Sequence, residues 1–224
     1  MPLHPPQKLL KAIIFDMDGV ITMTMPYHVR AWSHIFAGEG IRLDPYEIYA
    51  REGQRGIVGI VEIFAQYGKP LSPAQAKKLL VQKEMLFKQI VRTRFVPGAR
   101  VFIKKYHKKF IKLAVVTGTS RHELEQILPS ELIQKFDVII TGNDVKKGKP
   151  HPEPYQKALQ ALKVKKAEAF VIENAPYGIT SAIKAGLVCA ALETSLPKAF
   201  LKEATKIVVD YRGLEKFIEQ NYSL

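Results

Sequence analysis

Ala12-Ile13-Ile14-Phe15-Asp16-Met17-Asp18-Gly19-Val20 is the stretch on which the reading of this chain turns. Four apolar residues in succession predict a strand buried on both faces, as in the middle of a parallel sheet. The strand runs straight into two aspartates and a glycine, at the carboxyl end where open α/β sheets bind ligands. Residues two apart on extended chain share a face, so Asp16 and Asp18 address one site. Two carboxylates that close repel, and a cation or a shared proton relieves them. The stretch points to a magnesium-assisted carboxylate centre. A short Asp-x-Asp-Gly string is also ordinary turn chemistry, so the rest of the chain must decide. A calcium EF-hand is excluded: Gly19 comes too early, and no loop of alternating oxygen ligands follows.

Downstream of Val20 the pattern turns helical. Val29, Trp32 and Phe36 recur at helical spacing and stop at Gly38 and Gly40. Asp44-Pro45 opens a short helix through Tyr49, and Ile57, Ile60, Val61 and Phe64 mark another, closed by Gly68. Ser72-Pro73 caps a long one carrying Ala76, Leu79, Leu80, Leu86, Phe87 and Ile90. Four helices with no strand between them predict a small bundle inserted after the first strand. From Pro97 strands and helices alternate. Helices are predicted over 99–108, 123–128, 154–162, 178–185 and 214–220, and strands over 113–116, 137–140, 170–172, 187–191 and 206–209. That alternation predicts an α/β fold with a doubly wound parallel sheet, the insert lying over its carboxyl edge. Residues 1–22 and 97–224 form the core in this reading, and 23–96 the helical insert.

Composition narrows the class. No apolar stretch reaches membrane-spanning length and no signal-peptide core precedes a cleavage site, so neither a membrane nor a secretory reading is favoured. Met1-Pro2-Leu3-His4-Pro5-Pro6 reads as a short disordered lead. The single Cys189 lies in an apolar run, reads as core and cannot form an internal disulfide; a cytoplasmic location is the default. A net charge of +13 could attract phosphorylated ligands, but the lysines are dispersed among helices without interleaved aromatics. That reads as a solvated surface rather than a nucleic-acid site. A monomer acting on a small phosphorylated substrate, with no nucleic-acid or membrane partner, is expected.

The other strand ends carry chemistry as well. Thr117-Gly118-Thr119-Ser120 follows one strand, with hydroxyls and amides that suit phosphate oxygens or simply cap a helix. Lys146-Lys147-Gly148-Lys149-Pro150-His151-Pro152-Glu153-Pro154 follows another, its prolines holding Lys149 where it can pair with a carboxylate and a phosphate. Glu173-Asn174-Ala175-Pro176-Tyr177-Gly178 puts an acid and an amide at the same edge, although Asn174 could instead cap the next helix. Oxygen ligands favour magnesium over zinc.

Phe-Asp-Met-Asp-Gly-Val, Val-Val-Thr-Gly-Thr-Ser, Gly-Lys-Pro-His-Pro-Glu-Pro-Tyr and Val-Ile-Glu-Asn-Ala-Pro-Tyr-Gly, in that order, resemble the haloacid dehalogenase superfamily. The resemblance is to its β-phosphoglucomutase-like phosphohydrolase branch and runs from about Lys11 onward. It implies a Rossmannoid core with a helical cap, and Asp16 as the nucleophile that carries an aspartyl-phosphate. Asp18 is implied as general acid and base, its main-chain carbonyl binding magnesium. Thr117 and Gly118 would hold the transferring phosphoryl, and Lys149 would neutralise it. Magnesium would lie among Asp16, Asp18 and Asn174, with Glu173 at the same edge. Asn174 stands where many relatives have an aspartate, and Glu52, from Arg51-Glu52-Gly53 of the cap, is expected to restore the missing charge. Met23 replaces a polar or acidic residue of mutase-like members, which favours hydrolysis. His28, Trp32, Gln54, Arg55, Lys83, Thr119 and Arg121 are candidates for holding the rest of the substrate. The resemblance covers inorganic pyrophosphatases and sugar phosphatases, with pyrophosphate taken first. The rivals are a β-phosphoglucomutase-type sugar phosphomutase and a non-catalytic polyanion-binding protein.

Overall fold

A computed structural model describes residues 8–224, so the lead at residues 1–6 lies outside the described residues. The chain opens with β1 (Lys8–Leu9) and β2 (Ala12–Phe15), the latter being the predicted apolar strand. Four helices follow before the next strand: α1 (Met25–Gly38), α2 (Pro45–Ala50), α3 (Gly56–Gln66) and α4 (Pro73–Ile90). Their starts are fixed locally. Asp44 accepts a hydrogen bond from the Tyr46 amide at 2.8 Å, and Ser72 and Gln75 form a reciprocal capping box. Pro45 and Pro73 occupy first-turn positions, where the missing N–H has no helical partner to lose. α1 begins ahead of the predicted periodicity, because Pro26 is equally tolerated in a first turn.

Strands and helices then alternate. They are α5 (Ala99–Lys108), β3 (Lys112–Val116), α6 (Arg121–Ile127), α7 (Ser130–Ile133), β4 (Val138–Ile140), α8 (Glu153–Leu162), β5 (Ala169–Glu173), α9 (Pro176–Lys184), β6 (Val188–Leu192), β7 (Lys206–Val208), α10 (Tyr211–Asn221) and β8 (Tyr222–Ser223). Six strands form one parallel sheet in the order β4-β3-β2-β5-β6-β7. β2 lies at its centre, with Ile14 opposite Ala114 on one side and Val171 on the other. The chain winds outward through β3 and β4, then returns to β5 and winds the other way, so the switch point falls between β2 and β5. The β1–β8 pair and α7 were not readable from the sequence, since two to four residues cannot display a period.

Strand periodicity distributes the core. Ile13, Phe15, Leu113, Val115, Phe170 and Ile172 pack with residues of α5, α6 and α10. Their neighbours Ala12, Ile14, Ala114, Val116 and Val171 pack with α8 and α9, and Cys189 is buried there. The inserted helices hold a separate cluster of their own, including Ile35, Phe36, Ile60, Ile63, Phe64 and Leu79. Among the described residues no helix is long and apolar enough to cross a membrane. The loop after the Asp16–Asp18 motif is pinned from α10, where the buried Tyr211 hydroxyl donates to the Val20 carbonyl at 2.8 Å. Tyr211→Phe keeps the ring but strands that carbonyl. It should lower stability by about 1–3 kcal/mol, read as a shift of the urea unfolding midpoint.

Candidate active site

The switch point brings together the ends of β2, β3 and β5. Asp16 follows β2 directly, Thr117 follows β3, and Glu173 ends β5. Lys149 reaches into this point from the proline-rich loop, 2% exposed. Its ammonium donates to Asp16 Oδ1 at 2.6 Å, Glu173 Oε1 at 2.6 Å and the Val116 carbonyl at 3.0 Å, so all three donors are used. Burial alone would lower the Lys149 pKa, but Asp16 and Glu173 outweigh it and push it up, so the ammonium stays charged.

Glu173 is wholly engaged. Oε1 also accepts from the buried Tyr155 hydroxyl at 2.7 Å, and Oε2 accepts from the Asn174 amide at 3.0 Å. Gly178 leaves the space that this carboxylate fills, since a Cβ there would overlap it. Glu173, expected at the metal, has both carboxylate oxygens bonded within the protein and orients Lys149.

Asp18 sits in a second set. Oδ1 accepts from the Thr24 hydroxyl and lies 3.2 Å from His28 Nε2, while Oδ2 accepts from the Thr119 hydroxyl at 3.0 Å. Burial pushes its carboxyl up, but His28 and the hydrogen bonds from His28, Thr24 and Thr119 outweigh this and hold it below the usual range. Behind it, Lys83 is 2.9 Å from His28 Nδ1 and donates to Glu123 Oε1 at 3.2 Å.

The inserted helices close over this floor. Gly53, at φ +77°, lies so near Lys149 that an added Cβ would stand 2.6 Å from Lys149 Cδ. A Cβ on Gly118 would in turn collide with the Gly53 carbonyl, so only glycine admits this approach. Docking the loop buries Glu52, whose Oε2 accepts from Asn174 Nδ2 at 3.1 Å; that amide also donates to Ser195 Oγ at 2.8 Å. Asn174 thus binds the cap loop and is not a helix cap.

Three buried oxygens at this floor have no partner among the described residues: Asp16 Oδ2, Glu52 Oε1 and Asn174 Oδ1. Burial, then Asp16, Asp18 and Glu173, push the Glu52 carboxyl well above its usual range. Burial likewise pushes Asp16 up, opposed by Lys149 and reinforced by Glu173 and Asp18. Four buried carboxylates thus act on one another here, and Lys149 contacts only Asp16 and Glu173. No three His, Cys, Asp or Glu among the described residues are spaced as a ready metal cluster, so the donor set is mixed: two carboxylates and an amide, all hard oxygens. That set fits magnesium, and the surplus negative charge is what a dication relieves.

Between cap and core lies a cavity of about 180 Å³, reached by Asp18, Gly118 and Thr119 from the core and by His28, Trp32, Glu52, Gln54, Arg55 and Lys83 from the cap. Asp16, Thr117, Lys149 and Asn174 lie outside its lining, sealed beneath the docked loop. Thr117 Oγ1 accepts from the Thr119 amide at 3.1 Å. Arg121 is not brought to the cavity: its guanidinium donates to the Ile139 carbonyl at 3.0 Å and pairs with Asp144. Sequence reasoning missed Tyr155, Thr24, Glu123 and Ser195. Tyr155 closes the Gly-Lys-Pro-His-Pro-Glu-Pro-Tyr motif, whereas nothing local distinguishes the other three.

The haloacid dehalogenase-like hydrolase family matches residues 10–186. The chain is similar to validoxylamine A 7′-phosphate phosphatase of Streptomyces hygroscopicus subsp. limoneus, 29% identical over 90% of this chain and 94% of that protein. It is similar to the phosphorylated carbohydrates phosphatase of Thermotoga maritima, 30% identical over 80% and 82% of the two chains. The solved β-phosphoglucomutase of Clostridium difficile superposes with a TM-score of 0.83, covering 95% of this chain and 97% of that one; at 24% identity this speaks for the fold.

Lys149→Met leaves Asp16 and Glu173 as buried charges without a counter-ion and should lower stability by about 3–5 kcal/mol. Adding Glu173→Gln should return part of that loss. Urea unfolding in chelator, run as a double-mutant cycle, checks both.

Proposed function

The chain belongs to the haloacid dehalogenase-like hydrolases, and from that premise we propose that it releases phosphate from a small phosphorylated compound through an aspartyl-phosphate on Asp16. The observation that carries this reading is the Asp16 carboxylate, one oxygen held by Lys149 and the other unpaired beneath the cap. In the first half-reaction an Asp16 oxygen forms a bond to phosphorus as the bond to the leaving oxygen breaks. Asp18, once it has taken up a proton in place of its present hydrogen-bond donors, gives that proton to the leaving oxygen. In the second, Asp18 takes a proton from water, which attacks phosphorus and frees Asp16. Thr117 and the Gly118 amide would hold the phosphoryl oxygens, while Lys149, fixed by Glu173, would neutralise charge that grows on them.

Asp16, Glu52, Asn174 and the Asp18 carbonyl would hold magnesium. The bound ion would supply the positive charge that lets a carboxylate approach a phosphate dianion. Since Asp18 is bound to Thr24, Thr119 and His28, proton transfer requires it to leave some of these partners. Since Asp16 is buried beside Lys149, against which Gly53 lies, substrate entry would require the Gly53 loop to lift.

The cavity supports a phosphorylated carbohydrate or polyol ahead of pyrophosphate, which reverses the order taken from the sequence. Its wall includes Trp32, Ile57, Ile60 and Leu80, the mixed apolar surface that a sugar ring uses. Two of its cations are engaged internally, Lys83 with His28 and Glu123 and Arg51 with Glu62, and Arg55 gives one N–H to the Lys146 carbonyl. A leaving phosphate would need such charges free. The names of the two phosphatases above point the same way. Pyrophosphate stays as the second reading because Glu52 adds acidic charge where the small doubly charged substrate would bring its own metal.

Phosphate release from sugar phosphates, glycerol phosphate and pyrophosphate, with magnesium or chelator, tests the proposal. Release should require magnesium and should fall by at least about a thousandfold in Asp16→Asn. Isomerisation of a sugar phosphate without release would replace it with the mutase reading, and no turnover of any compound would sink it. Glu52→Gln should raise the magnesium needed for half-maximal rate by about ten- to a hundredfold; an unchanged requirement would remove Glu52 from the site.

A further inference from the structure

Phe110 stands at the end of the sheet opposite Asp16, and its side chain is 95% exposed. Its backbone is left-handed, at φ 58°. It ends α5 in a Schellman turn: the Phe110 amide donates to the His107 carbonyl at 3.1 Å and the Ile111 amide to the Tyr106 carbonyl at 3.2 Å. That position strongly favours glycine, which carries no Cβ penalty there. A bulky apolar residue in left-handed backbone is a true outlier, and Phe110 gains no packing in return.

Its surroundings are cationic. Lys108 and Lys109 precede it and Lys112 follows it, all exposed. The Lys112 amide donates to the Lys11 carbonyl at 2.9 Å, and its ammonium to the Leu162 carbonyl at 2.7 Å, beside exposed Lys163. Exposed Leu9 adjoins Lys11 along the chain. Acids are present too: Glu215 and Glu219 of α10 act on Tyr106 in the last turn of α5, with Glu215 paired to Lys105 at 2.9 Å. Glu168 is paired with Lys11 at 2.7 Å, and Asp137 accepts from the Leu113 amide at 2.8 Å.

We propose that this amino-terminal edge of the sheet docks on an anionic lipid surface, with the Phe110 ring entering the headgroup boundary and exposed Lys108 and Lys109 facing lipid phosphates. One apolar side chain at a protruding turn, ringed by lysines, is the chemistry of interfacial binding. Neither spans nor long apolar segments are involved. Nucleic acid is disfavoured because a single exposed ring makes no stacking platform for successive bases. Because the strands are parallel, docking leaves the cap and the Asp16 site facing water, open to a soluble substrate.

Flotation with phosphatidylcholine vesicles, with and without phosphatidylglycerol, tests this on the full chain. The protein should float with anionic vesicles only, and less as salt rises. Phe110→Gly suits the backbone, so unfolding temperature and phosphate release should hold while vesicle binding weakens about tenfold. Lys108→Glu with Lys109→Glu should weaken it further. Equal flotation of Phe110→Gly, no flotation in low salt, or Phe110-dependent binding to RNA or DNA in preference to vesicles would each overturn the proposal.

Discussion

One buried ammonium organises the catalytic edge. Lys149 reaches the centre of a parallel sheet, where an isolated charge is costly, and persists only because two carboxylates and a carbonyl take its three protons. Each partner is constrained in turn. Glu173 must be immobile, which Tyr155 and the Asn174 amide secure, and Gly178 must have no side chain. Asp16 must present one oxygen to the lysine, and the two-fold period of β2 places it there while burying Ile13, Ile14 and Phe15.

The remaining imbalance is what gives the site its character. Lys149 cannot neutralise Asp16, Asp18, Glu52 and Glu173 together. Asp18 is settled by His28 and three hydrogen bonds, and Glu173 by the lysine and tyrosine. Asp16 and Glu52 keep an unpaired oxygen each, beside that of Asn174. A purely structural ion-pair network would satisfy those atoms. Leaving them bare at the switch point is a defect in packing terms, and such local defects are expected where a ligand completes the structure.

Much of this was legible because it sits at strand ends. Apolar runs that break into Asp16, Thr117 and Glu173 reveal both the strand and its chemical terminus, and proline fixes the Lys149 loop. What was hidden depends on chain segments far apart in sequence. The Glu173 surroundings were hidden because sequence places it beside Asn174 but cannot show Tyr155 and Lys149 sharing its Oε1. Arg121 looked like a substrate cation until the β4 carbonyl of Ile139 was seen to occupy it. Ser195 and Glu123 reach the site across the fold, with no local pattern to announce them.

The cap adds a coupling between closure and charge. Gly53 and Gly118 lack side chains so that two backbones can meet, and that meeting delivers Glu52 to Asn174. With an aspartate in place of Asn174, the core alone would supply the full anionic complement. With the amide, on the proposed reading, part of that complement rides on the cap and is present only when the loop is down. On that reading, a movement that expels water from above Asp16 would also complete the cation site beside it. Electrostatic stabilisation strengthens as water leaves, so tying the two events together would confine the charged, reactive arrangement to the closed state. In the open state, Asp16 and Asn174 would hold a cation more weakly, and substrate could enter past an incomplete site.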